Sequence, residues 1–199
     1  MSDDRYDEFL AAQRCDRDRA LVTMFVSSGA RAQELLEVGL DDLDWGGMRF
    51  WVISKGTRAR EEVPASPEAM RLLAKYLDGA PSVPPGEPIW RTRRGPNRPL
   101  QYPAMRAIIQ RANASLGTNW TAHDFRHTLC TRLSRDEAFR TEEIQTIMRH
   151  ANITTTGIYQ HTELDDVIDR LVVHYDKPRV VPVLGRGFNQ ADMQAVFGG

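Results

Sequence analysis

The chain has 199 residues, of which 41% are hydrophobic and 27% charged, with a net charge of −1; that suffices for one domain with a substantial core and is short for two. No stretch approaches the roughly 20 apolar residues of a membrane helix, and the acidic start Met-Ser-Asp-Asp-Arg lacks the apolar run of a secretory signal. Cys15 and Cys130 form neither a disulfide framework nor a metal spacing, and they fit a reducing cytoplasm, the expected location.

Residues 5–14 are predicted as a short helix with Tyr6, Phe9 and Leu10 on one side. A second helix is expected over 16–26, with Ala20, Leu21, Met24 and Phe25 at helical spacing. Ser27-Ser28-Gly29 is expected to end it, glycine suiting a left-handed cap. Residues 31–38 read as a third helix that buries Leu35, Leu36 and Val38. Residues 49–55 are rich in β-branched and aromatic side chains and predict a strand. Gly56-Thr57 turns the chain and 59–64 returns as the second strand of a hairpin. Pro67 suits the first turn of a helix over 67–78. The run 79–88 holds four prolines and two glycines and reads as a loop, after which Ile89-Trp90 is expected to add a third strand. Helices are then predicted over 101–115, 122–135, 141–149, 154–160 and 163–173. The stretch 178–199 reads as a mobile tail with a short helix near 190–196. The expected fold class is α+β and mainly α-helical, with a small antiparallel three-stranded sheet at one edge.

A neutral total hides an uneven distribution. Between Ile89 and Arg135 there are nine arginines and one acidic residue, Asp124. Such a basic stretch can supply a phosphate-binding face, or simply a solvated arginine-rich surface. Only three lysines occur, Lys55, Lys75 and Lys177. A lysine in a special place therefore stands out, because lysine can release a proton and arginine practically cannot.

His123 and Arg126 are three apart at the start of a predicted helix and so share a face. Imidazole and guanidinium together at a helix N-terminus suit an oxyanion or phosphate. His123 and His127 have the spacing of a metal pair, but the glutamate of a His-Glu-x-x-His motif and a third ligand are missing, so no metal is assigned. Arg31 and Glu34 also share a helix face, which alone could be a surface ion pair worth well under about 1 kcal/mol. Lys55 sits at the hairpin tip, flanked by Arg58 and Arg60. Arg149-His150 ends a helix, and Tyr159 follows nine residues after His150. A phenol titrates near 10. To attack a phosphodiester it needs cationic neighbours, a proton acceptor and donors aimed at the non-bridging oxygens.

The ordered set Arg31, Glu34, Lys55, His123, Arg126, His150 and Tyr159 resembles the tyrosine recombinase or phage integrase family over residues 15–175. In that family a Gly-x-Arg-x-x-Glu segment opens a helix, a lysine sits in a β-hairpin, His-x-x-Arg opens a later helix, and a histidine precedes the tyrosine by about nine. The resemblance implies a site-specific recombinase that cleaves and rejoins DNA through a 3′-phosphotyrosine. Arg31, Arg126 and His150 would grip the scissile phosphate. Tyr159 would be the nucleophile and Lys55 the general acid. His123 would help take the tyrosine proton, and Glu34 would support the site. Arg58, Arg60, Arg91, Arg93, Arg94 and Arg98 are the expected DNA contacts. No cofactor, metal or membrane is implied, and the partners would be double-stranded DNA and further copies, a homotetramer on DNA. Residues 1–176 would form the catalytic domain, and 177–199 a tail, flexible or docked on a neighbouring subunit. Two other functions fit less of the pattern: a type IB topoisomerase-like relaxing enzyme, and a DNA-binding regulator with an inactive site. Arg149 departs from the pattern, since glycine commonly precedes this histidine. Family members usually carry an N-terminal helical domain, for which only about fifteen residues are present here; a piece of a longer protein and a minimal protein both fit.

Overall fold

The computed structural model describes residues 1–54, 58–149 and 161–178, with 161–165 described by backbone alone. In chain order the elements are α1 (Asp3–Ala11), α2 (Asp16–Ser28), α3 (Ala32–Leu36), a 3-10 turn (Leu40–Asp42), β1 (Leu43–Asp44), β2 (Arg49–Ile53), β3 (Arg60–Pro64), α4 (Pro67–Asp78), α5 (Tyr102–Leu116), α6 (Ala122–Ser134), α7 (Thr141–Met148) and α8 (His161–Asp176). The α+β class stands as expected, with helices dominating one small sheet. No described helix is long and apolar enough to cross a membrane.

Helix α2 is the axis of the molecule. It is buried on nearly every face, the condition of a core helix rather than a surface one. Even its charged start is enclosed: Arg17 donates to Asp18 at 2.6 and 2.8 Å and to the carbonyl of Arg91 at 2.7 Å. Around α2 lies a core containing Phe9, Phe25, Phe50, Trp90 and Phe125, with the Phe9 and Phe125 rings edge to face at 5.3 Å. A second cluster joins Leu129, Leu133, Phe139, Ile144, Met148 and Leu171. Helix α6 contributes Phe125 to the first cluster and Leu129 to the second, so one turn of it spans their junction.

The sheet is antiparallel in the order β1-β2-β3. Phe50 pairs with Val63 and Val52 with Glu61. Phe50, Val52 and Val63 face the core, while Ile53 is exposed, which is the period-2 alternation of a sheet with one wet face. The expected third strand at Ile89-Trp90 is a correction: the third strand is β1. Ile89 and Trp90 are fully buried but held by contacts on two sides. The Ile89 N–H donates to the Val38 carbonyl at 2.9 Å and Leu100 N–H to the Trp90 carbonyl at 2.7 Å, with isolated bridges at Gly39–Pro88 and Arg91–Pro99. Apolar bulk there reflects burial, which short runs cannot distinguish from strand pairing.

Other boundaries moved by small amounts. Ser27 and Ser28 stay inside α2, their hydroxyls donating to the Met24 carbonyl, and Gly29 forms the cap. Arg31 precedes α3 as its N-cap instead of opening it. Helix α8 is longer than predicted at both ends. The predicted helices at 154–160 and 190–196 lie outside the described residues.

Gly29 combines a left-handed backbone with closely packed core side chains. Its φ is +60°, and an added Cβ would lie 3.0 Å from Leu129 Cδ2 and 3.2 Å from Met148 Sδ. The left-handed conformation and the crowding both penalise a side chain. Gly29→Ala is therefore expected to lower unfolding free energy by about 1–3 kcal/mol, seen as a drop in Cm at unchanged m in urea melts. A Cm equal to that of the unaltered chain would show that the turn relaxes freely.

Candidate active site

The turn after α2 brings Arg31 to the surface of the junction between the two cores. Its backbone N–H donates to Glu34 Oε2 at 2.9 Å and its Nη1 to Glu34 Oε1 at 2.8 Å. Its Nη2 donates to the carbonyl of Arg149 at 2.9 Å. The Arg31 side chain remains 39% exposed, whereas Glu34 is 3% exposed. The ion pair is thus half buried, with the carboxylate inside and the Arg31 side chain partly open to solvent.

Helix α6 starts on a capping box. Asp124 accepts from the Thr121 backbone N–H at 2.8 Å, and Thr121 Oγ1 accepts from the Asp124 N–H. One turn on, half-buried Arg126 donates through Nη1 to the carbonyl of Gly29 and through Nη2 to that of Met148. Arg31 and Arg126 therefore clamp the same two places, the turn at 29–31 and the end of α7 at 148–149. Burial, followed by the charges of Arg31 and Arg149, lowers Arg126 to about 10, so it remains charged at neutral pH.

Arg149 was noted from sequence only as a departure from a common glycine. It caps α7 with φ 50° and ψ 51°. Its Nη2 donates to Glu34 Oε2 at 2.6 Å and its Nη1 to Glu61 Oε2 at 3.4 Å. Burial opposes ionisation of Glu34, but Arg149 and the Arg31 hydrogen bonds outweigh it and hold the carboxyl below the usual glutamate value. Arg31 and Arg149 pair with the buried Glu34 carboxylate, and Arg126 feels the charge of all three; with Glu61 on Arg149, three guanidinium groups meet two carboxylates, a net positive charge that favours an anion. No local sequence signal marks Arg149, because its partners are 115 and 88 positions away.

His123 is exposed on the first turn of α6, its ring edge to face with that of His127 at 4.7 Å. Among the described residues no group of three or more His, Cys, Asp or Glu is placed to hold a metal ion. Lys55, His150 and Tyr159 lie outside the described residues. The strands that flank Lys55 close on Ser54, whose N–H donates to the Ala59 carbonyl at 2.9 Å, and His150 directly follows the Arg149 cap.

Of the arginines expected to meet DNA, Arg58, Arg60, Arg93, Arg94 and Arg98 are exposed. Arg60 lies 4.9 Å over the Trp51 ring and 3.3 Å from Asp42. Arg91 is a correction. It is 3% exposed and donates to Asn97 Oδ1 at 2.7 Å, to the Asn97 carbonyl at 2.8 Å and to Glu87. With its donors turned inward it organises the 87–97 loop, a use of charge that composition does not reveal.

The model of the phage integrase family matches residues 1–165. The chain belongs to the phage integrase family. Among curated relatives, it is 30% identical over 161 residues to the tyrosine recombinase XerC of Pelobacter propionicus, covering 81% of this chain and 51% of that protein. It is 33% identical over 148 residues to XerC of Leptospira interrogans, covering 72% and 46%. The chain thus spans about half the length of the curated relatives it matches. Among solved structures, XerA recombinase superposes with a TM-score of 0.67 at 22% identity, covering 89% of this chain and 64% of that one. The integrase of mycobacterium phage Brujita gives 0.66 at 23%, covering 91% and 60%. A lambda integrase dimer bound to a core site gives 0.58 at 19%, covering 77% and 58%. At these identities the superpositions establish the fold.

Proposed function

We propose that this integrase-family domain is a site-specific DNA recombinase acting through a 3′-phosphotyrosine. The observation that carries the reading is the convergence of Arg31 and Arg126 on the chain just ahead of the segment that bears His150 and Tyr159. Two guanidinium groups held in place by backbone carbonyls are preorganised to stabilise charge as it develops on the non-bridging oxygens, and arginine's planar fork matches two of them. The Tyr159 hydroxyl attacks phosphorus and its proton passes toward His123. The P–O5′ bond breaks, Lys55 protonates the departing 5′-oxygen, and His150 is a third donor to the phosphate. A 5′-hydroxyl from another strand reverses the step and regenerates the phenol, which is strand exchange. The arginines supply the charge neutralisation that metal ions supply in other nucleases.

Exposed Arg58, Arg60, Arg93, Arg94 and Arg98 are the proposed DNA contacts, and double-stranded DNA in the cytoplasm is the proposed partner. Residues 1–176 are taken as the catalytic domain and 177–199 as a segment that docks on a neighbouring copy in a homotetramer on DNA. DNA-bound XerH and lambda integrase structures share the fold and support DNA as the partner. The test is a nicked suicide duplex made from the DNA flanking the gene. A covalent protein–DNA adduct on a denaturing gel, mapped by mass spectrometry to Tyr159, is expected. DNA binding without an adduct would indicate an inactive regulator, and relaxation of supercoils without synapsis a topoisomerase.

A further inference from the structure

Arg149 touches three parts of the site at once. Its carbonyl accepts from Arg31, its guanidinium donates to Glu34, and the same group reaches Glu61 on β3. The backbone there is disfavoured for any residue with a Cβ: φ is 50° and ψ 51°, a region where glycine sits without penalty. The side chain compensates for that conformation. It is 10% exposed against a carboxylate that is 3% exposed, and removing Arg149 leaves that buried charge to Arg31 alone. Glu34 Oε2 accepts from both Arg149 Nη2 and the Arg31 backbone, while Oε1 accepts from Arg31 Nη1. Fixing one end of this carboxylate fixes the other.

We propose that Arg149 is a positioning residue for strand cleavage: its guanidinium holds Glu34, and through Glu34 sets the open edge of Arg31 that grips the phosphate. The inference rests on the phosphotyrosine reading above. Arg149 contributes no DNA contact of its own, because its side chain is 10% exposed, against 39% for Arg31, and is paired with Glu34 and Glu61. Glu61 is the weaker partner, at 3.4 Å and 31% exposed, and the effect runs through Glu34.

The test measures single-turnover cleavage of the nicked suicide duplex, DNA affinity by gel shift, and thermal melting for the 199-residue chain. Arg149→Gly relieves the left-handed backbone, which offsets part of the cost of losing the pair with Glu34. Its cleavage rate is expected to fall on the order of 10²-fold, the scale on which small misplacements act, with DNA affinity within about threefold of the unaltered chain. Arg149→Lys keeps one charged donor and falls between the two; it also serves if the glycine variant melts too low to use. In an Arg149→Gly/Glu34→Gln double variant the two effects should not add, the double being within about threefold of Glu34→Gln alone. A duplex with sulfur at the bridging 5′-position should restore neither Arg149 variant, since the loss lies in the phosphate grip and not in protonation of the leaving group. Cleavage by Arg149→Gly at the unaltered rate, additive effects, or rescue by sulfur would each overturn the proposal while the adduct of the unaltered chain left the phosphotyrosine reading standing. If the unaltered chain forms no adduct, the functional reading fails first and this inference falls with it.

Discussion

Tyr159→Phe is expected to bind the nicked duplex as tightly as the unaltered chain and to form no covalent adduct. The substitution removes one oxygen and leaves Arg31 and Arg126, the proposed donors to the phosphate, in place. Five tyrosines occur in the chain, and the surroundings of the others sharpen the test. Tyr6 and Tyr76 are buried, their hydroxyls donating to Thr23 Oγ1 at 3.1 Å and to the Ile89 carbonyl at 2.8 Å. Tyr175 donates to the Ser27 carbonyl at 2.5 Å, and burial pushes its phenol well above the usual range. None of these three is fit to act as an oxyanion nucleophile. Tyr102 is 47% exposed and is the competitor to watch. Adduct surviving in Tyr159→Phe and mapping by mass spectrometry to Tyr102 would move the nucleophile and undo the assignment built on the His150–Tyr159 interval.

Lys55→Ala should cut cleavage on the order of 10²–10⁴-fold, the range of general-acid assistance, while DNA affinity changes little. The 5′-oxygen leaves as a strongly basic alkoxide and needs a proton in the transition state. A sulfur in the same bridging position leaves as a thiolate, whose conjugate acid is far stronger, and needs none. On the sulfur duplex Lys55→Ala should therefore regain most of its rate. Arg31→Ala and Arg126→Ala should stay slow on both duplexes, because on the proposed mechanism each loses donors to the phosphate itself. Arg31 and Arg126 are locked to the carbonyls of Arg149, Gly29 and Met148, whereas Lys55 falls, in sequence, between β2 and β3. If sulfur restores none of the Lys55→Ala rate, Lys55 is a phosphate contact, and His123 becomes the first candidate for the acid.

The sequence by itself determined most of the helices, strands β2 and β3, and the family. Helical spacing placed α2, α4, α5, α6 and α7 within a few residues of their observed limits, because amphipathic period, proline at a first turn and glycine at a left-handed cap are local signals. Gly29 is the clearest case, since a φ of +60° is a requirement on one residue that glycine meets without penalty. The order of Arg31, Glu34, Lys55, His123, Arg126, His150 and Tyr159 was legible for the same reason: it is a pattern of spacings along the chain. Three matters were decided only by tertiary structure. Arg91 reads as one more cation of a basic stretch, yet it is buried and paired with Glu87 and Asn97, because burial depends on what the loop folds against. Ile89-Trp90 reads as a strand, yet its hydrogen bonds go to residues near 38 and 100, since apolar content records enclosure and not the identity of the neighbour. Arg149 reads as a misplaced glycine, yet its guanidinium meets a carboxylate 115 positions away. An ion pair of that separation exists only once α3 and the end of α7 have been brought together by the packing of α2 against α6, and no local feature of either segment encodes it.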